Sequence, residues 1–340
     1  MRIADRSETA PTLVAGLRSN RRGPLAIRPR RRWNPLTHAH GPKLPLLWVL
    51  CLAAMLASPL ARSQSGTPAE TANRSAWDLA KSNPHALVQA AIENEIKVSY
   101  GHHRSVRYLL RKKTRNTDAT KEIVETGDGG VARLVAIHNQ PLNTTQAQTE
   151  LQRLHALASD PAAQQHRRHT EQRDAARIVG VMRLLPEAYL NQFEGSVQTS
   201  DGVAIRMTFA PNPHFSPPTL ESRILTGIRG EIWINPTDLR VVRIEGQLFR
   251  QVDYGWGILG TLYPGGTIRI DQAKTPECGW QLSHLTLNMT GKELMLKSLH
   301  VVIDETATDY HPVPAGWKYT DAIAWLLQKP ESFSTQTGAQ

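Results

Sequence analysis

GWGILGTLYPGGTIRI, residues 255–270, decides the fold class of this 340-residue chain. Its first six residues fit G-x-G-x-x-G, which cradles a dinucleotide's pyrophosphate when a strand leads in and a helix starts at the last glycine. Here Pro264, Gly265 and Gly266 would break a helix before it made two turns, and Trp256 and Ile258 are greasier than backbone approach to a phosphate requires. The stretch is therefore read without a cofactor. It is an apolar loop of Trp256, Ile258, Leu259, Leu262 and Tyr263, with Gly255, Gly257, Gly260, Gly265 and Gly266 as its hinges. Two uses stay open: a loop tucked into the core at a sheet edge, where glycines allow bulges, or a movable flap over an apolar cavity.

With a doubly wound α/β fold set aside, the flanking segments read as antiparallel strands. WQLSHLTLNM (280–289) alternates, with Leu285, Leu287 and Met289 on one face and His284, Thr286 and Asn288 on the other. EIWIN (231–235) and RVVRIEGQLF (240–249) flank NPTD, a proline turn, and Thr290-Gly291 is the expected turn before LMLKSLHVVIDETA (294–307). Nearer the start, residues 105–113, 120–126 and 129–137 are short strand-like runs, the last two joined by GDGG (127–130). Asn83-Pro84 and Asp160-Pro161 each place a capping side chain before a proline at the first helical position, predicting helices over 84–97 and 161–185. A further helix is expected over 145–157, and TDAIAWLL (320–327) reads as a short closing helix. The fold class is α+β: a curved antiparallel sheet, a half-barrel, with helices packed on one face.

Charge argues against nucleic acid as a partner. The formal net charge is +10, yet residues 1–62 hold 11 of the 40 Lys and Arg and 2 of the 30 Asp and Glu, so the remainder is nearly neutral. The basic stretch precedes an apolar run, Leu44 to Ala61, bounded by Pro45 and Pro59, which is the layout of an export signal. Cleavage is expected near Ser63, with an uncleaved anchor as the alternative. The domain plan is a leader and signal over 1–63, a flexible lead-in over 64–76, one domain over 77–328 and a flexible tail over 329–340. Only Cys278 lies beyond the signal, so no internal disulfide can form and the fold rests on its core.

Catalytic patterns are missing: there is no H-E-x-x-H, C-x-x-C, G-x-S-x-G or P-loop. His166 and His169 in HRRH share a helical face but have no third ligand placed by sequence, and Glu305 and Asp309 lie near a strand end. No cofactor, no metal and no reaction are expected.

ARLVAIHNQPL (132–142), LPEAYL (185–190), FAPNPHFSPP (209–218), GEIWINP (230–236), GWGILGTLYPGG (255–266) and ETATDY (305–310) occur in an order that resembles a family of exported bacterial proteins. More distantly, the chain resembles the LolA/LolB-type lipoprotein carriers of the cell envelope. That resemblance implies a half-barrel holding acyl chains beneath helices, a periplasmic or outer-membrane-associated location, and a lipid or acylated protein as ligand. The implied lining is Phe209, Trp233, Trp256, Ile258, Leu259, Leu262 and Tyr263. The stiff segment Pro211–Pro218 is a possible docking surface for an envelope protein or a cover for a sheet edge. An assembly factor with a filled core, and a hydrolase of envelope lipids, are the two alternatives.

Overall fold

Alternating burial along 279–293 becomes the longest but one of the strands, and the rest of the sheet is hung on it. The computed structural model describes residues 68–100, 105–255, 257–294 and 296–328. Among them are thirteen strands. In chain order they are β1 Val106–Thr114, β2 Asp118–Thr126, β3 Gly129–Ile137, β4 Gln140–Pro141, β5 Tyr189–Thr199, β6 Gly202–Pro211, β7 Ile228–Asn235, β8 Arg240–Leu248, β9 Val252–Tyr254, β10 Gly260–Leu262, β11 Thr267–Thr275, β12 Gly279–Glu293 and β13 Lys297–Pro312. Five α-helices accompany them: α1 Pro68–Ser82, α2 Pro84–Tyr100, α3 Thr144–Ala158, α4 Pro161–Ala188 and α5 Tyr319–Gln328.

All the pairings are antiparallel, in the order β4-β3-β2-β1-β13-β12-β11-β8-β7-β6-β5, and β10 joins β12 to β9 off that path. The ends β4 and β5 do not pair with each other, so the sheet stays open. The fold is α+β with one large antiparallel sheet, and it has no βαβ unit among the described residues.

One prediction about β12 is corrected. Thr290-Gly291 is not a turn, because the strand runs on to Glu293 and the turn residues described are Leu294 and Leu296. Gly291 is needed for a different reason: a Cβ there would collide with the Thr261 carbonyl and sit 3.2 Å from Leu262 Cα. It allows β10 to lie against β12.

The helices begin where the caps predict. Asn83 Oδ1 accepts from the Ala86 amide at 3.1 Å, and Asp160 Oδ1 accepts from the Ala163 amide at 2.9 Å. Each such cap contributes about 1 kcal/mol. Helix α1 departs from the expected lead-in over 64–76, since it is helical from Pro68. Its anchors lie just past the polar stretch: Ala76 and Ala80 are buried, and Trp77 meets Phe193 of β5 edge-on at 6.3 Å between centroids.

The main core lies between α1, α2, α4 and one face of the sheet. Leu87, Ile92 and Met182 from the helices meet Ile205, Met207, Ile232, Ile234, Leu287 and Met289 from the strands. A buried ion pair fixes α2 within it: Glu95 faces Arg240 at 2.7 Å, with Gln272 and the Val241 amide also bonded to the Glu95 carboxylate. Helix α5 takes the other face. Val124 and Val131 pair across β2 and β3 and bury against Leu154, Ile323 and Leu326, while the alternate residues of those strands point the opposite way. Among the described residues, no helix is long and apolar enough to cross a membrane. The expected leader and export signal over 1–63 and the expected flexible tail over 329–340 lie outside the described residues.

Candidate functional site

Residues 252–262 fold as a β-hairpin, with 255–259 as its turn. The Gly257 and Leu259 amides both donate to the Tyr254 carbonyl, at 3.1 and 3.2 Å. Gly255 and Gly257 take φ of 56° and 81°, values that side chains resist, so these two glycines serve the turn. No helix follows, because the chain passes from β10 through Pro264-Gly265-Gly266 into β11. A pyrophosphate would find no helix N-terminus here.

Of the seven apolar residues expected to line a cavity, the six described ones are divided between the main core, the opposite face and the surface. Phe209 and Leu262 are buried in the main core. Trp233 lies between Ile232 and Ile234, both of which face that core, so alternation turns its ring to the opposite face beside Ala204, Val242 and Trp280. There the Arg243 guanidinium stacks 4.1 Å from its centroid. Tyr263 is half-buried, Ile258 and Leu259 are exposed, and Trp256 lies outside the described residues. Of the remaining hinges, Gly260 is within β10, Gly265 takes φ of 96°, and Gly266 is buried beside Met289. The helix-covered face over β7, β8 and β11 is filled by α2 and α4, leaving a gap of only about 40 Å³ beside Ile92, Met182 and Ile244.

Space opens instead at the other end of the same face. A cavity of about 310 Å³ lies between the N-terminal half of α4 and the inward residues of β1, β2, β3, β12 and β13. Its apolar part comes from Leu110, Ile123, Ala132 and Leu282. Its polar part is Tyr108, Lys112, Lys121, Glu125, Arg167, Glu171 and Glu305. Strand alternation explains the mixture: Tyr108, Leu110 and Lys112 are successive inward positions of β1, opposite Ile123, Lys121 and Ala119 on β2.

The roof is bonded to the floor by α4. Arg167 Nη2 donates to the Gly130 carbonyl at 2.6 Å, and the Gly130 amide donates to Glu171 Oε2 at 3.4 Å. The half of α4 that carries HRRH, too polar for a core helix, covers this polar space. His166 and His169 themselves are exposed, and no group of three metal-ligating side chains occurs among the described residues. Glu305 and Asp309 take separate partners. Lys112 Nζ is 2.6 Å from Glu305, whereas Asp309 meets His311 at 2.8 Å.

Burial reshapes the charges inside. Desolvation pushes Glu125 up to about 7, against the lowering effect of the hydrogen bond donated by Tyr108 Oη at 2.9 Å. Glu171 is raised by burial as well, partly offset by Arg167. Lys121 is held below the usual lysine range by burial and by the neighbouring Arg153. Tyr108 is raised well above the phenol range by burial and then by Glu125, and it stacks on Tyr310 at 4.8 Å. The result is a pocket of mixed apolar and charged lining in which burial lifts Glu125 up to about 7.

Pro211–Pro218 leaves β6 along the end of α4. Asn212 pins it there, its amide donating to the Ala188 carbonyl at 2.8 Å and its Nδ2 to the Glu187 carbonyl at 3.0 Å. Phe215 packs on the main core while Pro213 and Pro218 remain exposed.

No protein-family model matches this chain, and no curated protein matches it. Among solved structures, the chain is similar to a domain provisionally described as an outer membrane lipoprotein-sorting protein, from Vibrio parahaemolyticus. The identity is 10% and the TM-score 0.29, over 71% of this chain and 98% of that one. It is also similar to a LolA superfamily protein from Nitrosomonas europaea, at 9% identity and a TM-score of 0.24, over 67% of this chain and 94% of that one.

Proposed function

We propose that this chain is an exported binding protein that holds an amphipathic ligand, a lipid or the acyl chain of a modified protein, without catalysing a reaction. The observation that carries this reading is the cavity under α4, whose lining mixes the apolar Leu110, Ile123 and Ala132 with the charged Lys121, Arg167 and Glu171. Such a lining suits a molecule with an acyl part and a polar head, held by burial and oriented by a few charges. The site differs from the one first read in the sequence, but the ligand class is the same. Export and an envelope location belong to the same proposal and rest on the basic leader and apolar run before Ser63.

The test is native mass spectrometry with organic extraction on protein recovered from the envelope of an exporting host. Discrete lipid adducts are expected, and they should disappear in Ala132→Trp, which fills the pocket with an indole. Adducts that persist unchanged in that variant would place the ligand elsewhere. A panel of envelope lipids incubated with the protein should come back intact, and turnover of any of them would overturn the non-catalytic part.

A further inference from the structure

The hairpin built by GWGILG has a neighbour. Because β10 pairs with β12, Gly260 lies opposite Glu293 and Thr261 opposite Lys292. This sets the turn 255–259 beside the turn 294–296, and the Leu294 amide reaches the Leu259 carbonyl at 3.4 Å. Four large aliphatic side chains stand out of these two tips: Ile258 is 57% exposed, Leu259 38%, Leu294 55% and Leu296 92%. Among the described residues, eight large apolar side chains are exposed to this degree, and half of them sit on these two adjacent turns. Scattered apolar exposure needs no explanation, but this concentration does.

Two exposed lysines stand beside the tips. Lys292 and Lys297 flank the β12–β13 turn and are exposed, whereas Glu293 between them is turned inward, 6% exposed and 3.7 Å from Lys297. On the neighbouring hairpin, Asp253 is exposed and keeps its negative charge, its carboxylate accepting from Thr261 Oγ1 at 2.8 Å and Gln251 Nε2 at 3.0 Å.

We infer that the paired tips are a membrane-docking element that enters the headgroup region of a bilayer carrying anionic phospholipid. Protruding aliphatic side chains with two exposed lysines at the base of one turn match the boundary between headgroups and acyl chains. Two narrow turns present far less area than the roughly 800 Å² per partner of a standard protein interface. The tips and the cavity occupy opposite ends of β12, with Leu282 in the cavity and Leu294 in the tip, roughly 40 Å apart along the strand at about 3.3 Å per residue. The docking element therefore does not depend on what the cavity binds.

The test uses the full chain with Cys51→Ser and a polarity-sensitive fluorophore on Ile258→Cys; Cys278 is buried and stays unlabelled. Vesicles of phosphatidylcholine are compared with and without phosphatidylglycerol. A blue shift, and quenching by lipids brominated on their acyl chains, are expected with the anionic vesicles. Both should be lost in Leu294→Ser with Leu296→Ser, two exposed positions where folding should not suffer. Lys292→Gln and Lys297→Gln should each weaken the response roughly fivefold. A probe that remains in water on vesicle-bound protein would overturn the inference, because the leader alone would then be the anchor. A blue shift that grows with protein concentration without vesicles would also overturn it, by showing that a second copy covers the tips.

Discussion

Replacing Glu95 with Ala should be among the most damaging single changes available in this fold. Its carboxylate accepts from Arg240 Nε at 2.7 Å, Arg240 Nη2 at 3.0 Å, the Val241 amide at 2.7 Å and Gln272 Nε2 at 3.2 Å. Both side chains of the pair are almost completely enclosed, at 4% exposure for Arg240 and 2% for Glu95. Removing the acid leaves a guanidinium buried without its counter-charge, which costs about 3–5 kcal/mol. That is a large part of the roughly 5–15 kcal/mol that holds a typical domain together. Urea denaturation followed by tryptophan fluorescence reads the loss as a shift in midpoint at constant slope. The double change Glu95→Met with Arg240→Met removes both charges and should recover most of the stability, because the desolvation cost goes with the pair. A Glu95→Ala cost below about 1 kcal/mol, or a double variant as unstable as the single one, would refute the reasoning.

Glu125 gives a pH dependence of opposite sign to a surface ion pair. Its folded value of about 7 lies above the ordinary 4.5, so the native state binds more protons than the unfolded chain across that window. Stability should therefore fall as pH rises from about 4.5 to 7 and then level off, by about 1–3 kcal/mol once partial solvent access is discounted. Glu125→Gln should flatten that fall in thermal melts taken across the range. Gly291→Ala should force β10 away from β12 and cost about 1–3 kcal/mol, with faster amide exchange at Gly260 and Leu262 as the local readout. Trp77→Ala should release α1 from β5, at a cost of about 2 kcal/mol or more, and limited proteolysis should then cut within 68–82.

Much of the fold was legible because its signals are local. Alternation over 280–289, the cap-proline pairs at 83–84 and 160–161, and the turn at 127–130 each report on a few adjacent residues, and each element formed. Three readings failed, two where the deciding partner lies far away in sequence and one where the phase of a strand decides. Gly291 looks like a turn residue until β10 is seen against it. The polar start of α1 hides the fact that Trp77 finds Phe193, more than a hundred residues on. Trp233 reads as lining, and only its strand phase relative to Ile232 shows that it faces away. The cavity was the hardest to see, because Lys112, Lys121, Arg167 and Glu305 come from four separate elements. Two traces of it were present: charged residues at inward positions of β1 and β2, namely Lys112, Lys121 and Glu125, and a helix at 161–173 too polar to cover a core.

The position of β13 sets a timetable for this chain. Strands β1–β4 form one meander and β5–β12 another assembly, and within the sheet they meet only where β13 is inserted between β1 and β12. The free edge of β1 has no neighbour until residues 297–312 exist, although β1 was made almost two hundred residues earlier. Early synthesis therefore yields a short sheet with an open edge and half a pocket, because Glu305 and Leu282 arrive late. Pairings this distant close slowly and last. Such a chain cannot close its sheet before residues 297–312 have emerged, and until then the edge of β1 remains extensible.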